Sequence, residues 1–218
     1  MPTAEAEPRP FLSAIVLAAG ASTRLGRPKQ LLPLGDRPLL QHVVDAALAS
    51  RLDEVVVVLG HGAQEVRAAL RPAGSAPLRL VVNPDHARGQ SGSLRLGLSS
   101  ASPRAAAAAI LLGDQPRVGA DLIDRVAAAF LDGSHPAARP VYSGAAGCVI
   151  PGHPVFLARR IWPEVGNLGG DEGARVLLST RPEWLLQVPV EGEAPVDVDS
   201  WEDYRRVARA ARPPASGG

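Results

Sequence analysis

The sequence predicts a single α/β domain of Rossmann-like type, with a mostly parallel (mixed) sheet and helices on both faces. Short apolar runs, such as LSAIVLA at 12–18 and EVVVVLG at 54–60, are typical of strands buried on both faces. These runs alternate four times with amphipathic segments, which is the pattern of βαβ units. The length of 218 residues is enough to bury the core of one such domain without disulfides.

The first half of the chain carries the regular alternation. The run at 38–50 aligns its leucines and valines on one helical face, the helix at 63–71 ends before Pro72, and the helix at 120–133 ends at Gly133. Five alanines leave 105–114 open to a helical interpretation, but Ile110 to Leu112 before a glycine favours a strand. A further strand is predicted at 78–83 and a helix at 91–101, with Ser91 as its N-cap.

Beyond residue 135 the pattern is less regular. Short apolar runs predict strands at 139–142, 147–150, 154–157, 184–189 and 195–198. Helices are predicted at 172–179 and 200–211. We expect one domain at 12–211, with disordered termini at 1–11 and 212–218.

Composition excludes several classes of function. The net charge is +1, so there is no large basic surface to hold nucleic acid. No apolar run reaches the length of a membrane span. The acidic, proline-rich start lacks the order of a signal peptide, so we expect a cytoplasmic protein with no membrane partner. We expect the single cysteine, Cys148, to be a buried apolar residue, and His42, His61 and His135 to be structural or surface residues.

The loop after the first strand is the strongest candidate for ligand binding. Small residues from Ala19 to Ser22 follow the strand at the edge where parallel sheets bind ligands. The spacing fits neither the dinucleotide fingerprint nor the P-loop. An ordinary turn is the alternative, but Lys29 is the only lysine among 23 basic residues, which favours phosphate binding.

Six segments together resemble a known family. The segment LAAGASTRLGRPKQLLPLGDRPLL at 17–40 is similar to the signature loop of the MobA-like nucleotidyltransferases, closest to their molybdenum cofactor cytidylyltransferase branch. Leu25 stands where that branch usually has methionine. Later motifs follow in the same order: NPDHARGQSGSLRLGL at 83–98, LLGDQPRV at 111–118, PGHPVFL at 151–157, GDEGAR at 170–175 and VDVDSWEDY at 196–204.

The resemblance implies transfer of CMP from CTP to the terminal phosphate of molybdopterin, with release of pyrophosphate and with Mg²⁺ as cofactor. A molybdenum hydroxylase apoenzyme is then a possible protein partner. The implied catalytic residues are Lys29, Arg24 and Asp114. The implied nucleotide-binding residues are Leu17, Ala18, Ala19, Gly20, Ala21, Ser22, Arg24, Lys29, Asn83, Gly89, Ser93 and Asp114. The implied acceptor-binding residues are His153, Pro154, Gly170, Asp171 and Arg175.

The metal acids implied by the resemblance are Asp114 and Asp199. Mg²⁺ prefers one or two carboxylates together with phosphate oxygens and water. Asp197 and Asp199 point the same way on an extended segment, so the choice between them stays open. Asp199 is also a candidate N-cap of the last helix, and Asp114 a turn residue before Pro116.

Ala19 bears on the choice of base. Guanylyl-transferring relatives usually have glycine at this position, and a methyl group there favours the smaller pyrimidine. The alternatives are a nucleotidyltransferase acting on a sugar or polyol phosphate, a non-catalytic carrier of the molybdenum cofactor, and an oxidoreductase. The fold alone does not decide among them.

Overall fold

The computed structural model describes residues 9–210. The strands of this part are β1 (Leu12–Ala18), β2 (Pro33–Leu34), β3 (Arg37–Pro38), β4 (Glu54–Leu59), β5 (Leu78–Val82), β6 (Ala107–Leu112), β7 (Ala137–Ser143), β8 (Val149–Pro151), β9 (Val155–Ala158) and β10 (Leu185–Val190). The helices are α1 (Leu39–Ala49), α2 (Ala63–Ala69), α3 (Gln90–Ser100), α4 (Ala120–Asp132), α5 (Trp162–Val165), α6 (Ala174–Ser179) and α7 (Trp201–Ala210).

Eight strands form one mixed sheet. Its order is β10-β7-β9-β6-β1-β4-β5, with β8 paired to the free part of β7. The pairs among β6, β1, β4 and β5 are parallel, and so is β10 with β7, whereas β9 is antiparallel to both of its neighbours. Strands β2 and β3 form a separate hairpin. The predicted Rossmann-like fold is confirmed.

Apolar side chains cover both faces of the sheet. One core cluster packs α1 and α4 against one face, and a second packs α3, α5 and α6 against the other. Strands β1 and β4 are buried throughout, because both of their faces are covered by helices.

A third, smaller cluster joins the first loop to the end of the chain. Leu25 and Leu32 pack there with Val198 and with Val207 of α7. In addition, the Val198 N–H donates to the carbonyl of Asp114 at 3.1 Å. These contacts bring residues 196–199 to the carboxyl ends of β1 and β6.

Several local predictions differ from the structure. Residues 195–198 form no strand, because the segment begins with Pro195, which has no N–H, and the Val198 N–H bonds to Asp114 rather than to a sheet edge. Ser91 is not the cap of α3: the helix begins at Gln90, and the Ser91 N–H donates to Gly170 at 3.0 Å. Cys148 is exposed, since it lies in the turn before the exposed strand β8.

Other bounds shift or appear anew. The helix predicted at 172–179 begins at Ala174, and α5 and the β2–β3 hairpin were not predicted. The domain limits stay a prediction, and residues 1–8 and 211–218 lie outside the described residues. Arg9, within the segment expected to be disordered, contacts Asp53 at 2.7 Å. Within residues 9–210, no helix has the length and hydrophobicity needed to cross a membrane.

Candidate active site

A cavity of about 490 Å³ opens at the carboxyl ends of β1 and β6. This is the edge where open α/β sheets bind ligands. The cavity is lined by Leu17, Ala18, Ala19, Gly20, Ala21, Thr23, Lys29, Gln30, His86, Ala87, Gly89, Gln90, Ser93, Leu112, Gly113, Asp114 and Asp171. Nine residues of this set were predicted to bind nucleotide and one, Asp171, to bind the acceptor.

The first loop is held in shape by its own polar groups. Ser22 has φ 55°, in the left-handed region, and its hydroxyl accepts a bond from the Lys29 N–H at 3.0 Å. The buried Gln30 side chain donates to the carbonyls of Ala18 and Gly20 at 2.9 and 3.1 Å. Ser22 and Gln30 therefore fix the loop so that the Lys29 side chain points towards β6.

Lys29 lies between two carboxylates. Its Nζ is 2.5 Å from Asp114 Oδ2 and 2.7 Å from Asp199 Oδ1. The side chains of Lys29 and Asp114 are 14% and 17% exposed, whereas Asp199 is 50% exposed. The guanidinium of Arg24 is 3.9 Å from the other Asp199 oxygen and stays largely exposed. The structure thus brings together all the predicted catalytic and metal-binding residues.

Burial and neighbouring charges shift the pKa values of Lys29 and Asp114. Burial alone would lower the pKa of Lys29, but the carboxylates of Asp114 and Asp199 raise it above its usual value. Burial raises the pKa of Asp114, and the charge of Lys29 offsets part of that effect. The site is therefore a partly buried ion pair that a bound charged ligand would perturb.

The donor set fits one hard divalent cation completed by substrate. Asp114 Oδ1 is buried and has no hydrogen-bond partner in residues 9–210, so it has an unused lone pair. The described part contains no group of three or more His, Cys, Asp or Glu suited to a metal. A cation held by Asp114 and Asp199 would need further oxygens, and Mg²⁺ commonly takes them from phosphate and water.

The side chains of Asp197 and Asp199 make different contacts. Asp197 accepts a bond from the Gln115 amide at 2.5 Å, whereas Asp199 contacts Lys29. The cap of α7 is Ser200: its hydroxyl accepts from the Asp203 N–H, and the Asp203 carboxylate accepts from the Ser200 N–H at 2.8 Å. The Asp199 side chain is therefore not needed for capping.

The loop between β5 and α3, residues 83–89, forms the opposite wall of the cavity and is called the second loop. Ser93 lines the cavity, and Asn83 lies behind it, donating to the Ser93 hydroxyl at 2.9 Å and accepting from the Asp85 N–H at 3.0 Å. Asn83 does not line the cavity, so its side chain holds the loop. Gly89 has φ 107°, and a Cβ there would lie 2.2 Å from the carbonyl carbon of Gly170. The second loop therefore packs directly against the backbone of the 170–175 segment.

The predicted acceptor residues gather at an adjoining cavity of about 240 Å³. His153, Asp171 and Arg175 line it, and it shares Leu17, Gln90, Leu112 and Asp171 with the first cavity. Burial lowers the pKa of His153 to about 4, so the ring is neutral near pH 7. Pro154 is buried beside His153, and Gly170 forms the contact with Gly89; neither lines either cavity.

Sequence reasoning missed some of the lining. Gln30 follows the lysine directly and could have been noted as a polar residue buried in an apolar setting. His86 and Gln90 lie within the motif at 83–98, between Asn83 and Ser93, and that position was the available signal. Ser22 and Arg24 were predicted to contact nucleotide, but they do not line the first cavity; Ser22 shapes the loop and Arg24 faces Asp199.

Known proteins share this fold over nearly the whole chain. Nicotine blue oxidoreductase of Paenarthrobacter nicotinovorans is 34% identical over 181 residues, which cover 82% of this chain and 86% of that protein. Purine catabolism protein PucB of Bacillus subtilis (strain 168) is 34% identical over 211 residues, covering 92% and 98%. The crystal structure of Rv0371c from Mycobacterium tuberculosis H37Rv in complex with manganese superposes with a TM-score of 0.76 at 32% identity, covering 92% and 99%.

Most of the chain matches the model of one protein family. Residues 14–185 match the MobA-like NTP transferase domain, and this range includes the first loop, Asp114 and residues 151–175. The chain therefore belongs to the MobA-like NTP transferase family of nucleotidyltransferases.

Proposed function

We propose that this protein transfers CMP from CTP to the terminal phosphate of molybdopterin, or of its molybdenum-loaded form, and releases pyrophosphate. The observation that carries the proposal is the Lys29–Asp114–Asp199 cluster beside a small-residue loop, with a second cavity adjoining it. The first cavity has room for a triphosphate and is lined by small residues of the first loop and by Lys29. The second cavity offers a separate place for an acceptor.

In the proposed reaction an oxygen of the acceptor phosphate forms a bond to the α-phosphorus of CTP. The bond from that phosphorus to the bridging oxygen of the β-phosphate breaks, and pyrophosphate leaves with the electron pair. The acceptor phosphate is already ionised near neutral pH, so no general base is required. Catalysis is then mainly the positioning of two anions and the neutralisation of their charge.

The chain's own residues account for that neutralisation. Asp114 and Asp199 would hold Mg²⁺, which when bound screens the triphosphate charge. Lys29 would exchange its carboxylate contacts for a phosphate oxygen of CTP, and Arg24, exposed at the mouth of the loop, would add a second cation. Backbone N–H groups from Ala19 to Ala21 would donate to the phosphates.

Ala19 supports cytosine as the base. It is 7% exposed, and its methyl group is directed at the end of β4, where a Cβ added to Gly60 would lie 2.8 Å from it. Ala19 also lines the cavity, and a methyl group at this position would favour a pyrimidine over a purine. Discrimination on the scale of one methyl group is about 1–3 kcal/mol.

The proposal is tested by measuring pyrophosphate release from each of the four nucleoside triphosphates, with and without molybdopterin. We expect release only when molybdopterin is present, with a kcat/KM for CTP at least about tenfold above that for GTP, a gap of ~1.4 kcal/mol. Equal use of CTP and GTP would contradict the assignment of the base. Release with a sugar or polyol phosphate but not with molybdopterin would contradict the assignment of the acceptor.

Two different classes of function give different results in the same assay. A non-catalytic carrier would bind molybdopterin and release no pyrophosphate with any nucleotide. An oxidoreductase, the activity that the name of the Paenarthrobacter nicotinovorans relative carries, would change the absorbance of a redox substrate without consuming CTP.

A further inference from the structure

Arg139 lies outside the sequence motifs and does not line the first cavity, so neither assigns it a role. It lies on β7, on the same face as Ala137, which packs in the core cluster that also contains Ile110 and Ala174. Ile110 and Ala174 both line the second cavity. The face of β7 that carries Arg139 is therefore the face beside that cavity.

The chain's own contacts bring Arg139 beside His153. The Gly152 N–H donates to the carbonyl of Pro140 at 2.9 Å, so the backbone before His153 runs alongside Arg139. The charge of Arg139 lowers the pKa of His153, while that of Asp114 raises it. His153, which lines the second cavity, is therefore close enough to both Arg139 and Asp114 to sense their charges.

The charge of Arg139 is not balanced by the protein. Its Nε is buried without a hydrogen-bond partner in residues 9–210. No carboxylate of the described residues forms an ion pair with Arg139 or with Arg175, which lines the second cavity. Burial and the nearby charge of Arg175 lower the pKa of Arg139. Two neighbouring guanidinium groups with one buried and unused donor are the arrangement that an anion would stabilise.

We propose that Arg139 and Arg175 together bind the phosphate monoester of the acceptor, a dianion, at the second cavity, which Arg175 lines and beside which Arg139 lies. Guanidinium groups present paired N–H donors that match two oxygens of a phosphate, and such charge-assisted bonds are about twice as strong as neutral ones. The two cavities share four lining residues, so a phosphate held here borders the space where the α-phosphate of CTP would lie. Neutral His153 supplies a further polar contact without adding to the repulsion between the arginines.

This inference rests on the proposed function for its identification of the phosphate as an acceptor. It makes Arg139 a determinant of acceptor binding and not of nucleotide binding. Replacing Arg139 should therefore affect the KM for the acceptor while leaving the affinity for CTP unchanged.

The test compares Arg139→Gln and Arg175→Gln with Arg125→Gln, a control on the exposed side of α4 whose side chain contacts the carbonyl of Pro189. We expect each of the first two variants to raise the acceptor KM at least tenfold, with the Kd for CTP within twofold of wild type. An unchanged acceptor KM, or an equal loss of CTP binding, would overturn the inference. If Arg139→Gln does not fold, the exposed Arg175 carries the test.

A second measurement separates this inference from the proposed reaction. Calorimetric titration with inorganic phosphate is carried out with α,β-methylene-CTP bound, so that the first cavity is filled. Phosphate binding that weakens at least tenfold in Arg139→Gln supports the site even if the wild-type protein transfers no CMP. Phosphate binding of equal strength in wild type and both variants would overturn the site, whatever the transfer assay shows.

Discussion

Lys29 occupies the place to which a divalent cation would also be drawn. Its Nζ lies within 2.7 Å of carboxylate oxygens from both Asp114 and Asp199. A metal ion bound by these oxygens has to displace the ammonium group. We therefore expect replacement of Lys29 by methionine to strengthen metal binding to the nucleotide-free protein, although the same change should abolish most of the catalysis.

The size of the effect follows from the exposure of the two partners. A hydrogen bond to a charged group contributes about 1.5–3 kcal/mol, and this range suits Asp114, which is 17% exposed. The bond to Asp199, 50% exposed, adds at most about 1 kcal/mol. Taking about 2 kcal/mol for both bonds, the Kd for Mn²⁺ should fall by roughly 30-fold in Lys29→Met.

The assay is a titration of nucleotide-free protein with Mn²⁺, in which electron paramagnetic resonance measures the free ion. Arg27→Met is the matched control, since it removes the same charge from an exposed position of the same loop. We expect Arg27→Met to change the Kd by less than about threefold, because charges in solvent are screened. Equal or weaker Mn²⁺ binding by Lys29→Met would refute the competition between the ammonium and the metal.

Three further predictions concern individual residues of the site. Asp199→Asn should lower turnover by orders of magnitude with little change in Tm, whereas Ser200→Ala should lose about 1 kcal/mol of stability and keep its turnover, as kinetics and thermal melts will show. Gly89→Ala, whose methyl group would collide with the facing loop, should lose CTP affinity in a fluorescence titration, while Gly92→Ala should keep it. The pKa of His153 is lowered from 6.5 to about 4, so acidification through that window should destabilise wild type by about 3 kcal/mol more than His153→Asn in urea unfolding.

Each of these predictions has a contrary result. Normal turnover by Asp199→Asn would remove this residue from the metal site and favour Asp197. Unchanged CTP binding in Gly89→Ala would mean that the contact between the two loops does not shape the cavity. For the histidine, the unfolded chain takes up the proton at higher pH than the folded one, so stability is lost as pH falls. Parallel pH profiles for wild type and variant would show that the ring is not held neutral.

The regular part of the fold was predictable because its signal is local. Runs of valine, isoleucine and leucine at β1 and β4 mark strands covered on both faces, and the match continues through α4. The prediction of Ser91 as a cap is wrong, because its N–H bonds to Gly170, a residue 79 positions away that local sequence does not reveal. The segment 195–198 alternates as a strand does, but its Val198 N–H bonds to the carbonyl of Asp114 and not to a neighbouring strand.

The sequence predicted which residues belong to the site better than it predicted the contacts among them. The resemblance pointed to Lys29, Asp114 and Asp199, but their direct ion pairs depend on how α7 packs against the first loop. Asn83 was expected to contact nucleotide, and its buried bond to Ser93 became visible only in three dimensions. Arg139 had no signal at all, because one arginine among 22 is not distinctive until its charge is found without a partner.

The central claim, nucleotidyl transfer from CTP, is tested most directly by following two labels. Protein, Mg²⁺ and molybdopterin are incubated with CTP labelled with ³²P at either the α- or the γ-phosphate, and the products are separated. We predict that the α-label enters a pterin product whose mass equals molybdopterin plus CMP less water, while the γ-label appears in pyrophosphate. Transfer of the γ-label to the pterin, or the absence of any labelled pterin product, would contradict it.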